Sequence, residues 1–323
     1  MCSVVVWENW VPGLFHPPQL QDAHSSDTLQ KHLHDAGVFT FFLEGLKGSE
    51  WDRFRCLCKF PPTATGGSRA CHLDSASVLA RLMDNRDKQI VVYVHGNAEC
   101  VHTSFAAQNF VTADLERIYV TFEWQGYQSK SQTSPTFESQ CIRLLAVLRF
   151  LSDTPDDRSL SIVLLGFSLG CAVILRSVQL ARLPAEGPST VDVVRMDRVR
   201  FVCLLAPFLS GPAVIFQNTI FEDVFAHLFS PMNNADAVGM LQTPMLAIHG
   251  TRDSIIPKHH SKELSRYFDA STYNRRHRSR FVYVEDATHS TLLHSPHVRF
   301  VIGAIKTFSS ECESSHKTER GVA

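Results

Sequence analysis

Strand and helix patterns alternate along most of this chain, which predicts an α/β fold on a predominantly parallel, doubly wound sheet. Three observations carry the prediction. Gln89 to Val94 is a continuous apolar run of strand length, the pattern of a strand covered on both faces. Ile162 to Leu165 is another, and it breaks into Gly166-Phe-Ser168-Leu-Gly170 before a helix-patterned segment with Ala172, Val173, Leu175 and Leu180. Met245 to His249 follows the same rule, with helical spacing resuming from Lys258 to Phe268.

Taken in order, residues 1–36 are poorly patterned and read as an irregular lead-in. They lack a basic n-region and carry Glu8 inside their apolar run, so no secretory signal is expected. Gly37 to Leu43 and Arg53 to Phe60 alternate like strands and read as an edge hairpin, stopped by Pro61-Pro62. A helix is expected from about His102 to Leu115, a strand over Arg117 to Phe122, and a helix from Pro135 to Ser152. After the Ser168 unit come a strand over Arg200 to Leu205, an apolar cap over 206–241, a strand over Arg280 to Glu285 and a helix over Ser295 to Phe308. The domain therefore covers 37–308, and 309–323, polar and without an apolar face, reads as a disordered tail.

Composition excludes several classes. With 44% hydrophobic and 20% charged residues and a net charge of −1, the chain has no electrostatic reason to bind nucleic acid. Nine cysteines without paired spacing do not make a disulfide framework, and a reducing, cytoplasmic compartment is expected. The uncharged stretch 201–221 contains Pro207, Gly211, Pro212, Gln217 and Asn218, so it reads as a strand entering a cap rather than a membrane helix.

The chemistry centres on Ser168. A serine at the apex of a strand-turn-helix projects its hydroxyl above the sheet, and the N–H of Leu169 at the helix start can receive an oxyanion. A hydroxyl needs a base, and the base needs an orienting group. In a doubly wound sheet the loops after strand ends share one crevice. Two such loops offer partners: His249-Gly-Thr-Arg-Asp253 and Glu285-Asp-Ala-Thr-His289. The order Ser168, Asp253, His289 gives nucleophile, orienter and base. The loop His95-Gly96-Asn97-Ala98 offers the second oxyanion donor, with Asn97 favoured and Ala98 open.

These strings, with Gly126-Tyr127 and Pro207-Phe-Leu-Ser210-Gly211, resemble the α/β-hydrolase family over about 37–308. Within it the chain is similar to the serine hydrolases with an HGNA loop, among them protein depalmitoylases and lysophospholipid and monoacylglycerol lipases. The resemblance implies an α/β-hydrolase fold with a short apolar cap. It also implies an acyl-serine mechanism without metal or organic cofactor, and an acyl-ester or acyl-thioester substrate on a lipid or an acylated protein. The chain departs from the pattern at Glu123 and Gln128, where such enzymes carry an aspartate and a second glycine. It also lacks the N-terminal cysteine cluster of the depalmitoylases, Cys2 standing alone.

Other features have plainer readings. His32, His34, His259 and His260 have no companions at metal-ligand spacing and read as solvated. The run Arg275 to Arg280 reads as a solvated loop, with lipid headgroup contact as its alternative. The cap aromatics Phe208, Phe216, Phe221 and Phe225 suit an acyl chain, the alternative being ordinary core. A catalytically silent binding protein on the same fold is disfavoured because all three catalytic positions hold competent residues. Leaving group, acyl length, oligomeric state and peripheral membrane contact stay open.

Overall fold

The computed structural model describes residues 33, 35–45, 53–62, 64, 73–101, 103–127, 134–152, 160–182, 194–215, 232–271 and 278–321. Eight strands follow the order β1-β2-β4-β3-β5-β6-β7-β8 in one mostly parallel sheet, the expected fold class. The chain divides into two compact units, one of 13–163 and 180–198, the other of 1–12, 164–179 and 199–323.

In the first unit, β1 (Val38–Glu44) and β2 (Arg53–Lys59) pair antiparallel, with Val38 opposite Lys59. β2 also pairs antiparallel with β4 (Ile118–Phe122), and β4 runs parallel to β3 (Ile90–Val94) in the register Ile90 to Ile118. All five residues of β3 and of β4 are buried, which is why both read as unbroken apolar runs. Helix α1 (Ser75–Asp84) has no counterpart in the sequence reading. It starts where the Asp74 carboxylate accepts the Ser77 N–H at 2.8 Å, and it buries Val78 and Leu82. The helix expected over 102–115 is a short α2 (Phe105–Asn109) that passes into a π-helical turn, Phe110–Asp114. Helix α3 (Phe137–Ser152) is the long amphipathic segment expected there.

Strand β5 (Ile162–Phe167) leads into α4 (Leu169–Leu180). In the second unit, β6 (Val199–Leu205), β7 (Met245–Gly250) and β8 (Ser279–Val284) run parallel in sequence order. Between β6 and β7 the chain forms the short helices α5 (Gly211–Ile215) and α6 (Asn234–Gly239). Of the expected substrate-contacting aromatics, Phe208 is buried, whereas Phe216, Phe221 and Phe225 lie outside the described residues. Helix α7 (His259–Ala270) joins β7 to β8.

The C-terminal stretch corrects the expectation of a disordered tail. Helix α8 (Val298–Gly321) continues through 309–320 because no glycine or proline interrupts it. Arg280 on β8 meets Glu311 at 2.6 Å, and Phe308 and Ser309 are buried. A polar composition is compatible with a helix as well as with a disordered tail. Among the described residues no helix is long and apolar enough to cross a membrane.

Candidate active site

One residue separates β5 from α4, and that residue is Ser168. Its φ is +53°, in the left-handed region that non-glycine residues rarely enter and that costs of order 1–3 kcal/mol when it persists. The surroundings enforce it. Ser168 N–H donates to Leu205 O at 2.9 Å, and Ser168 O accepts from Cys171 N–H at 2.9 Å. The Cys171 thiol donates to Gly166 O and Leu205 O, at 3.3 and 3.2 Å. A side chain at Gly166 would put its Cβ 2.9 Å from Cys171 N and from the Gly170 carbonyl, so only glycine fits before the turn. Leu169 is the first residue of α4, and its N–H has no acceptor within the helix.

Asp253 and His289 come from the loops after β7 and β8, and the two loops are stitched together. Thr251 N–H donates to Val284 O and Arg252 N–H to Ala287 O, both at 2.9 Å, and Asp286 N–H reaches Thr251 Oγ1 at 3.0 Å. A Cβ on Gly250 would overlap the Ala287 carbonyl, so glycine is what lets the loops approach.

Held this way, His289 Nδ1 donates to Asp253 Oδ2 at 2.7 Å, which leaves Nε2 as the basic nitrogen. The imidazole lies against Phe167, the residue before the serine, with ring centroids 4.9 Å apart. Asp253 Oδ1 accepts the N–H groups of Ile255 and Ile256, at 3.0 and 2.8 Å. Burial pushes the Asp253 carboxyl upward. Hydrogen bonds from His249 and His289, the charge of His289 and the Ile256 N–H outweigh it and hold the group well below the usual carboxylate range.

In the first unit, the loop after β3 is tied up on itself. Glu99 Oε2 accepts from Gly96 N–H and Tyr93 OH, both at 2.9 Å. Gly96 N–H is therefore engaged, and Asn97 and Ala98 remain the candidates for an oxyanion donor. Tyr127 OH donates to Asn97 Oδ1 at 2.6 Å, fixing the orientation of that amide. His95 is buried, donates Nδ1–H to Gly96 O at 2.8 Å and stacks on Trp124 with centroids 4.2 Å apart. At the departure from the family pattern, the Glu123 carbonyl accepts Arg143 Nη1 at 2.6 Å, and Gln125 is held by the Gln140 amide.

Sequence reasoning missed the tie made by Glu99, the Tyr127 clamp and the partners of His249. Only the repeated His-Gly at the ends of β3 and β7 hinted at the last. Among the described residues no group of three His, Cys, Asp or Glu side chains is placed to hold a metal ion.

The mostly parallel sheet, with a left-handed serine between strand and helix, defines an α/β-hydrolase fold with the turn of a serine hydrolase. Residues 76–281 match the family described as Serine hydrolase (FSH1), well over half the chain, and the protein belongs to that family. His289 falls just beyond the matched residues.

Solved structures agree on the fold. The esterase Pf2001 of Pyrococcus furiosus is 12% identical, covers 93% of this chain and 98% of its own, and has a TM-score of 0.56. EstE1, a thermostable carboxylesterase cloned from a metagenomic library, is 14% identical over 91% of this chain and 99% of its own, with a TM-score of 0.54. Est1E from Butyrivibrio proteoclasticus is 14% identical over 85% and 99%, also with a TM-score of 0.54. At such identities the likeness is one of fold. No curated protein matches the sequence.

Proposed function

We propose that this serine hydrolase cleaves a fatty-acyl ester or thioester through an acyl intermediate on Ser168. The observation that supports this most is the 2.7 Å pairing of His289 Nδ1 with Asp253 Oδ2, on an imidazole that lies against the residue before Ser168. In the reading, His289 Nε2 takes the Ser168 proton as Oγ attacks the carbonyl carbon, and Asp253 stabilises the imidazolium. The carbonyl π electrons move to oxygen, which Leu169 N–H receives; such a donor is worth about 3 kcal/mol. Collapse expels the alcohol or thiol, which leaves with the proton from His289. Water then repeats the sequence on the acyl-serine, releasing the carboxylic acid and restoring Ser168.

The fatty-acyl class rests on the apolar cap sequence, in which Phe208, Phe216, Phe221 and Phe225 would receive the chain, and on the resemblance to depalmitoylases. A protein cysteine is the leaving group we favour; a lysophospholipid or glycerol is the second reading, from the same resemblance. The described cysteines are all free thiols, which fits a reducing cytoplasm, and an acyl substrate would bring the enzyme to membrane surfaces peripherally.

The test is a chain-length series of p-nitrophenyl esters and matched acyl thioesters, run on wild type and on Ser168→Ala. Long chains and thioesters should be favoured, and Ser168→Ala should lose about 10⁴-fold or more in kcat while remaining folded. Turnover in that variant within about tenfold of wild type would remove the acyl-serine reading.

A further inference from the structure

The end of β7 carries a second imidazole, His249, wholly buried and in contact with the same carboxylate that holds His289. Its two ring nitrogens have different surroundings. Nε2 lies 2.6 Å from the Ile256 carbonyl, which can only accept, so Nε2 carries a proton. That same nitrogen is 3.5 Å from Asp253 Oδ2. At this length the second contact is the weaker branch of a bond shared between two acceptors, with Ile256 O the primary one. Nδ1 lies 2.5 Å from Ser261 Oγ, on the first turns of α7, and in the neutral ring it accepts the serine proton.

These contacts close a ring of constraints around Asp253. Its Oδ1 is held by the N–H groups of Ile255 and Ile256. The Ile256 carbonyl, on the other side of that residue, is held by His249. Oδ2 lies between two imidazoles, His289 at 2.7 Å and His249 at 3.5 Å. Among the described residues Asp253 has no side-chain partner of opposite charge besides these two imidazoles, so its rotamer and the shape of its loop depend on His249.

We infer that Ser261 and His249 form a positioning pair: Ser261 sets the tautomer of His249, and His249 Nε2–H holds the Ile256 carbonyl and Asp253 so that Oδ2 stays aimed at His289. His249 touches no reacting atom. Its work is to keep the orienting carboxylate within reach of the base, and the rate of chemistry is sensitive to such placement: a shift of about 1 Å costs around 10²-fold. This inference rests on the triad reading proposed above.

Two substitutions separate positioning from mere filling. In His249→Gln the terminal amide NH₂ falls near the position of Nε2 and keeps the donor. In His249→Asn the shorter amide reaches only the position of Nδ1, so the bonds to Ile256 O and Asp253 are lost. With p-nitrophenyl butyrate, His249→Gln should keep kcat within about threefold of wild type. His249→Asn should lose about 10- to 100-fold in kcat with KM changed less than about twofold. Equal losses in both variants, or no loss in His249→Asn, would overturn the inference.

A measurement on the unaltered protein decides the matter even where a variant fails to fold. The ¹⁵N shifts of His249 should show Nε2 protonated, and Nδ1 without a proton; a ring with no proton on Nε2 would overturn the proposal. Asp253→Asn, assayed alongside, tells the two readings apart. If it retains activity, the triad reading fails. If it is inactive while His249→Asn is fully active, the positioning role alone fails.

Discussion

The dipeptide His-Gly directly follows β3, at His95-Gly96, and closes β7, at His249-Gly250, and both imidazoles are buried completely. Sequence makes them equivalent, but their nitrogens do not. His95 spends Nδ1–H on its neighbour's carbonyl, presses its face on Trp124 and leaves Nε2 without a partner among the described residues. No carboxylate among the described residues is bonded to it, and burial lowers its pKa to about 4, so at neutral pH it is an uncharged aromatic plate. His249 uses both nitrogens and borders Asp253. The lesson is that a buried histidine's role is set by what each nitrogen faces, which residue identity and burial do not report.

The contrast can be pushed hardest at the carboxylate that distinguishes the two regions. Asp253→Asn should keep the fold and lose about 10⁴-fold in kcat, because an amide facing His289 Nδ1 favours the wrong tautomer. Steady-state kinetics on a short p-nitrophenyl ester reads this directly, and a loss under about tenfold would mean the carboxylate is structural. The His249 substitutions come next in size, at the 10- to 100-fold expected for lost positioning.

His95 should behave in the opposite way, showing itself in stability and pH. Its folded pKa of about 4 lies below the ordinary histidine value of 6.5, so the folded state resists protonation. Its stabilising contribution is therefore fully present above pH 6.5 and is lost as pH falls toward 4, a loss of about 3 kcal/mol at 1.36 kcal/mol per unit. His95→Phe retains the stack on Trp124 and removes this dependence. Urea titrations between pH 7.5 and 4 should show the variant losing about 3 kcal/mol less than wild type. Parallel pH curves for the two proteins would mean that His95 is not the group responsible.

The smallest effect is expected at Glu99, the carboxylate of the β3 loop. It serves two local donors, Gly96 N–H and Tyr93 OH, and among the described residues it meets no imidazole. Glu99→Gln leaves an amide oxygen to accept, so about 1 kcal/mol should be lost in urea unfolding. A loss comparable to the Asp253 phenotype in kcat would erase the distinction between the two loops.

Much of this was legible in the sequence for definite reasons. Strands buried on both faces must be apolar throughout, so β3, β4, β5, β6 and β7 announced themselves. The turn at Ser168 can be made only with glycine at Gly166, so it left a string that could be read. Asp253 and His289 could be proposed as partners of Ser168 because each lies in a loop that follows a strand, β7 and β8. Helix α1 escaped because it buries just Val78 and Leu82, too narrow a stripe to stand out, although Asp74 was there as its cap. The final turns of α8 escaped because a polar helix and a disordered tail share a composition.

The hydrogen bonds of Glu99 and His249 could not be read at all. They depend on where a loop folds back, and in the case of Ser261 on a helix face twelve residues away. Motifs record which residue types a turn demands; they do not record which donor a given acceptor meets.

The central claim is that Ser168 Oγ is the nucleophile, and the most direct measurement is peptide mass mapping after a fluorophosphonate reacts with the folded protein. A single phosphonyl adduct on Ser168 is expected, forming quickly in wild type and far more slowly in Asp253→Asn. Folded protein left unmodified at Ser168, under conditions that label a related hydrolase, would contradict it.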